Sequence, residues 1–235
     1  MSDHLFYFVR HGQSILNDRG IRQGSVGQLS DKGVEQAHIT GERLAEEQSE
    51  HGKIQKILCS PFDRTRETAD IINMHLKVKN QIEYTALLAE RRNPSEIIGQ
   101  SVDDPEVRKI VNLIDHSYHD DTYRFSDEEN FSDLRDRARD CLAYLETQKS
   151  KKILVVTHGI FLKMLIAYML YRDTLTAADY NKLSYFNPSN NAGITVCELK
   201  KGIFGTMFGA PKPEKRWKLI VWDDHIDLKG KNTII

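Results

Sequence analysis

The chain alternates short apolar runs with longer segments in which apolar residues recur every three or four positions. Leu5-Phe6-Tyr7-Phe8-Val9, Lys56-Ile57-Leu58-Cys59 and Lys152-Ile153-Leu154-Val155-Val156-Thr157 have the length and composition of buried strands. Ile82 to Leu88 predicts another strand, and Gly193 to Leu199 and Trp217 to Trp222 two late ones. Val34, Ala37, Leu44 and Ala45 mark one face of a helix opened by Ser30-Asp31-Lys32-Gly33, with Ser30 or Asp31 as N-cap. Ser60-Pro61-Phe62-Asp63 predicts a second helix start: Ser60 caps, Pro61 takes the first helical position, and Asp63 suits the positive helix end. Pro105 to Ile114 reads as a helix, and Phe131, Leu134, Ala138, Leu142 and Leu145 mark the face of another. Ile160 to Leu170 is apolar on most faces, which predicts a buried helix. Strands alternating with helices predict an α/β fold. From Pro94 to about Asn130 the pattern loosens, as in an insertion on one edge of a sheet. Within it, His116 to Asn130 reads as a charged, mobile loop, and Gly205 to Lys215 as a surface loop.

The ends of the strands carry the chemistry. The first apolar run stops at Arg10-His11-Gly12, and the best strand stops at His158-Gly159. In open α/β sheets ligands bind beyond the carboxyl ends of strands. Gly12 would let the backbone come close to a ligand there. Neutral imidazole can act as a nucleophile, and the guanidinium fork of Arg10 suits phosphate oxygens. On the second predicted helix Arg64 shares a face with Thr68, whereas Arg66 points away. Glu90 follows the Ile82–Leu88 run, with Glu96 nearby as a competitor. Two arginines, two histidines and one carboxylate do not suit a metal, because guanidinium repels cations. They suit transfer of a phosphoryl group, which carries close to two negative charges. Arg91 and Arg92 could extend such a pocket or form solvated ion pairs. His116, His119, Asp120 and Asp121 look superficially like metal ligands but lack helical ligand spacing, so a solvated loop is the expectation. Asp223, Asp224 and His225 follow a strand and read as structural packing.

Composition narrows the partners. The chain has 235 residues with 40% apolar content and a formal net charge of -1. That balance gives no reason to expect nucleic acid or an anionic membrane as partner. Cys59, Cys141 and Cys197 are odd in number and far apart, as expected of reduced, core-filling thiols. The first residues lack the basic flank and apolar length of a signal peptide, and Ile160–Leu170 is too short to span a bilayer. A soluble cytoplasmic protein is expected.

Taken in order, these motifs resemble the histidine phosphatase superfamily, in the branch that includes cofactor-dependent phosphoglycerate mutases, the fructose bisphosphatase domain and ribazole phosphatase. The resemblance rests on Arg10-His11-Gly12 with Ser14 and Asn17, and on Leu29-Ser30-Asp31-Lys32-Gly33 with Gln36-Ala37. It continues in Ser60-Pro61-Phe62-Asp63-Arg64-Thr65-Arg66-Glu67-Thr68-Ala69, Leu88-Ala89-Glu90 and Val155-Val156-Thr157-His158-Gly159. It implies one domain over residues 1–235: a three-layer α/β/α fold with a mostly parallel sheet, and an insertion at about 92–130 forming a cap. It implies that His11 becomes phosphorylated, that Arg10, Arg64 and His158 hold the phosphoryl group, and that Glu90 serves as general acid and then base. Asn17 would donate to a phosphate oxygen, and Gln23 and Gly24 would contact the substrate beyond it. No metal or other cofactor is implied.

Mutases follow the acid with a tyrosine- and glycine-containing segment, whereas here Glu90 is followed by Arg91-Arg92-Asn93-Pro94-Ser95-Glu96. Hydrolysis of a phosphomonoester is therefore expected over mutase chemistry. A small phosphorylated metabolite is the expected substrate, with a phosphoprotein as the alternative. A catalytically dead relative that binds phosphorylated ligands is the contrasting reading, opposed by the full set of catalytic residue types.

Overall fold

The computed structural model describes residues 4–117, 119–201, 206–207, 210–211 and 215–225. In chain order its strands are β1 (His4–Arg10), β2 (Lys56–Cys59), β3 (Glu83–Tyr84), β4 (Lys152–Thr157), β5 (Ile194–Lys201), β6 (Thr206–Met207), β7 (Ala210–Pro211) and β8 (Lys215–Asp224). The α-helices are α1 (Ile15–Asp18), α2 (Asp31–His51), α3 (Asp63–Leu76), α4 (Pro105–Asp115), α5 (Phe131–Glu146), α6 (Gly159–Tyr171) and α7 (Ala177–Phe186). Six strands form one sheet in the order β3-β2-β4-β1-β5-β8, and β6 pairs with β7. β1, β2, β3 and β4 run parallel, and β5 and β8 are antiparallel to their neighbours. The expected α/β fold with a mostly parallel sheet is the observed one.

Alternation along the central strands sorts side chains into two cores. Phe6, Phe8, Ile153 and Val155 pack with Leu134, Ala138 and Leu142 of α5 and Phe161 and Leu165 of α6. Tyr7, Val9, Leu154 and Val156 pack on the opposite face with Leu44 of α2 and Ala69 and Ile72 of α3. The sheet is thus buried on both faces, which explains why its central strands read as continuous apolar runs. Cys59, Cys141 and Cys197 are buried and unpaired, as expected of core fillers, and burial pushes the Cys141 and Cys197 thiols up to about 12.

Several expectations are corrected. Ser60 does not cap a helix: α3 begins at Asp63, its N-cap is Phe62, and no side chain caps it. The Ile82–Leu88 run is a strand only at Glu83–Tyr84, after which Thr85 caps a 3-10 turn over Ala86–Leu88. The ladder stops where its partner β2 ends, with Cys59 opposite Tyr84, and further on Thr157 Oγ1 donates to the Leu88 carbonyl (2.8 Å). The described residues of the His116–Asn130 segment lack regular structure but are tied down: buried Glu128 accepts from Phe125 N (2.5 Å) and Ser126 N (2.7 Å). Asp121 Oδ1 accepts from Ala177 N at the start of α7 (2.8 Å). The expected Gly205–Lys215 loop contains the β6–β7 pair, and the rest of it, apart from Lys215 in β8, lies outside the described residues.

Gly12 serves a backbone contact. A Cβ on Gly12 would stand 2.4 Å from Gly33 O, and one on Gly33 would stand 2.0 Å from Gln13 O. The end of β1 therefore presses against the first turn of α2, where Ser30 accepts from Gly33 N. Gly33→Ala should destabilise the fold by about 1–3 kcal/mol, the usual cost of overpacking. Urea unfolding measures this, and an unchanged midpoint and slope would mean that the approach is not tight.

Candidate active site

β1 and β4 pair in register with Arg10 opposite Thr157, so the next residue on each strand is a histidine. His11 N donates to Thr157 O (3.0 Å), and the His11 and His158 rings lie 5.1 Å apart. Both imidazoles are buried. His11 Nδ1 lies 2.7 Å from Gly12 O. A carbonyl only accepts, so Nδ1 carries the hydrogen and the lone pair is at Nε2. Arg64 Nε donates to that lone pair (3.2 Å), and Arg64 Nη1 donates to Gly24 O (2.9 Å). Thr68 holds this geometry by accepting from Gly12 N (3.1 Å) and donating to Arg64 O (2.7 Å). Arg66 points away: its Nε donates to Pro61 O (2.7 Å) and its guanidinium lies over the Tyr84 ring.

Burial, then the charges of Arg64 and Arg10, hold His11 well below its ordinary 6.5, against the opposing pull of the Gly12 carbonyl. Burial likewise holds His158 low, with His11, Arg64 and Arg10 adding to the effect. Burial lowers Arg64 to about 10, which leaves it cationic at neutral pH. His158 Nε2 faces Ser60 Oγ (2.8 Å), so Ser60 steadies an imidazole instead of capping a helix. His158 Nδ1 and Arg10 Nε are buried without a hydrogen-bond partner among the described residues. Arg10 Nη1 donates to Ser189 O. The loop behind it is anchored by buried Asp223, which accepts from Asn190 N (2.8 Å) and Asn190 Nδ2 (2.6 Å). Asp223 thus serves structural packing, but it and Asp224 lie within β8, and only His225 follows the strand.

Glu90 sits at the N-terminus of α6. Its Oε1 accepts from Phe161 N (3.0 Å) and Arg91 N (2.9 Å), and its Oε2 from Ile160 N (3.3 Å). Glu96 turns to Ser126 Oγ (2.9 Å) and does not line the chamber that holds His11. Sequence reasoning missed Arg137, which donates to the carbonyls of Leu87 and Ala89 and pairs with Glu129 (2.6 Å). It fixes the backbone that carries Glu90. The signal was available: Arg137 interrupts the apolar stripe Leu134, Ala138, Cys141 on α5.

An inner chamber of about 280 Å³ is lined by Arg10, His11, Asn17, Arg64, Glu90 and others. An outer cavity of about 1270 Å³ adjoins it, with Gln23, Gly24, Arg91 and Arg92 in its wall. Gln23 Oε1 accepts from Ser14 Oγ (2.9 Å), and Arg91 pairs with Asp115 at 3.8 Å. Arg92 Nε donates to Asp127 O (2.8 Å). The structure thus brings together His11, Arg10, Arg64, His158 and Glu90, with Asn17 and Gln23 beside them and Gly24 one step outward. Arg22, Asn93 and Lys163 also line the inner chamber and carried no pattern that marked them.

A mixed α/β sheet that ends two adjacent parallel strands in His-Gly, ringed by guanidiniums, defines a histidine-centred anion site. The chain belongs to the histidine phosphatase superfamily (branch 1), whose family model matches residues 6–205. It is 31% identical over 197 residues to a probable phosphatase of Schizosaccharomyces pombe, covering 82% of this chain and 86% of that protein. It is 29% identical over 177 residues to the 6-phosphofructo-2-kinase/fructose-2,6-bisphosphatase of Gallus gallus, covering 72% of this chain and 33% of that protein. A solved structure of mycobacterial glucosyl-3-phosphoglycerate phosphatase with VO3 shares the fold at a TM-score of 0.69 and 21% identity, covering 94% of this chain and 98% of that one. No helix among the described residues is long and apolar enough to cross a membrane.

The depressed His11 has a consequence for stability. Between its folded-state pKa and 6.5, the unfolded chain binds a proton that the folded chain refuses, so stability rises with pH across that window and is fully present above 6.5. Unfolding free energies measured below pH 6.5 should therefore fall less steeply in His11→Asn than in the unsubstituted chain. Parallel slopes would show that His11 is not held neutral.

Proposed function

We propose that the chain is a metal-independent phosphomonoester hydrolase that works through a phosphohistidine on His11. The observation that carries this reading is a buried, neutral imidazole whose unprotonated Nε2 is met by the Arg64 guanidinium. His11 Nε2 attacks phosphorus as the ester P–O bond breaks. Arg10, Arg64 and His158 take the phosphoryl oxygens, using the Arg10 Nε and His158 Nδ1 that have no partner among the described residues. Arg64 exchanges its bond to His11 for one to the incoming oxygen. Glu90, a carboxylate before substrate arrives, takes up a proton as the dianionic ester binds and gives it to the leaving alkoxide. In the second half, Glu90 takes a proton from water, water oxygen attacks phosphorus, the P–N bond breaks, and inorganic phosphate leaves His11 neutral again. Guanidinium groups supply the positive charge that a divalent ion supplies in other phosphoryl-transfer sites.

The segment at about 92–130 acts as a cap on the single domain. Asn93, Ile98 and Gly99 form part of the outer cavity wall, with Ile15, Leu16 and Val26 across from them. A walled cavity of this kind suits a small phosphorylated metabolite. Its similarity to phosphatases, together with a post-acid segment unlike that of mutases, favours hydrolysis over mutase chemistry.

The central test is the covalent intermediate. His11→Ala should lose turnover of an aryl phosphate together with an acid-labile phosphoenzyme trapped by rapid quench. Retention of most of the activity would overturn the mechanism. Glu90→Gln should slow an alkyl phosphate by about 10²-fold or more, yet slow a nitrophenyl ester much less, because nitrophenolate leaves without needing a proton. Equal losses on both substrates would remove Glu90 from the acid role.

A further inference from the structure

The inner chamber opens into the outer cavity through residues that line both: Ile21, Arg22, Gln23, Arg64, Glu90 and Asn93. An ester oxygen that leaves phosphorus and meets Glu90 carries its organic group through this ring. Arg22 is fixed there by its backbone, with N donating to Gln100 O (2.9 Å) and O accepting from Gly99 N (2.8 Å). Its Nε is buried without a hydrogen-bond partner among the described residues. Leaving such a group without a partner is costly, which marks the position as one that a ligand completes.

The charges around the chamber point the same way. Arg10, Arg22, Arg64 and Lys163 line it, and among its described lining residues Glu90 is the sole carboxylate. Arg10 donates to Ser189 O, Arg64 to His11 and Gly24, and Lys163 Nζ to Ser184 O (2.9 Å). A phosphoryl group with close to two negative charges is matched by Arg10 and Arg64. Arg22 remains, and its surroundings do not neutralise it. Burial and the nearby charge of Arg91 lower its proton affinity, while Asp115 opposes them and is itself paired with Arg91 at 3.8 Å. Arg22 thus has no ion pair among the described residues, and the carboxylate whose charge reaches it is exposed and bound to Arg91.

We propose, building on the phosphomonoester reading, that Arg22 forms a second anion subsite and that the substrate's leaving group carries a carboxylate or a second phosphate a few bonds from the ester oxygen. Gln23 and Asn93 flank it, and the rest of the leaving group lies against Ile15, Leu16 and Ile98 in the outer cavity.

Matched substrates test this with the full chain. One pair is 3-phosphoglycerate and glycerol 3-phosphate, which differ by a carboxylate. The other is fructose 1,6-bisphosphate and fructose 6-phosphate, which differ by a phosphate. The anionic member of one pair should be favoured about tenfold or more in kcat/KM, the scale of one charge-assisted hydrogen bond. The pair that shows the preference identifies the anion. Arg22→Met should collapse the ratio towards one, chiefly through KM, and Arg22→Lys should keep part of it. Circular dichroism and thermal midpoints establish that both variants fold. Calorimetric binding of the same pairs to His11→Ala reads the subsite without turnover. Equal treatment of both members of both pairs, or a preference that survives in Arg22→Met, would overturn the subsite. Preferential binding without hydrolysis in the unsubstituted chain would instead sink the phosphatase reading and leave the subsite standing.

Discussion

The parallel register of β1 against β4 is the constraint on which the site depends. With Arg10 opposite Thr157, both strands reach their ends together and both release a histidine at the same edge of the sheet. A slip of one residue would invert the faces of β1, moving Phe6 and Phe8 out of one core and Tyr7 and Val9 out of the other. Burial on both faces therefore locks the register, and the register brings two imidazoles within 5.1 Å of each other. The neighbouring β2 ends at Cys59, and Ser60 directly after it meets His158. Three strand ends thus supply two imidazoles and the hydroxyl that steadies one of them.

This geometry has an electrostatic price. Two imidazoles and the Arg64 guanidinium are buried in close contact, with Arg10 beside them. The same field that keeps both rings unprotonated keeps the His11 lone pair available at Nε2. Repulsion among the cations is relieved by backbone carbonyls at Ser189 and Gly24, and by the Glu90 carboxylate held on the first N–H groups of α6. A dianionic phosphate ester, the substrate class proposed above, would balance this charge.

Support for the reactive groups comes from residues distant in sequence. Arg137 on α5 clamps the carbonyls before Glu90, and Asp223 on β8 anchors the loop that receives Arg10. Gly12 and Gly33 let α2 approach the end of β1, so Thr68 on α3 can reach Gly12 N. Each of these contacts fixes a backbone position, not a reacting atom.

The sequence by itself determined the α/β class and its central strands, the two strand–His–Gly units, and the choice of Arg64 over Arg66. These follow from periods of two and of about 3.6 residues, which depend on neighbours along the chain. It also carried the set of motifs that marks the superfamily. Only the tertiary structure decided what Ser60 does. Ser-Pro-x-Asp has the local form of a helix cap, but a histidine 98 residues away competes for the hydroxyl and wins. Tertiary contact likewise ended β3 early, where its partner β2 stops at Cys59, and gave Gly12 a helix to pack against. Arg22 lies in an irregular segment with no period to read. Its place between the chambers comes from pairing with residues 99–100, a contact written in no local pattern.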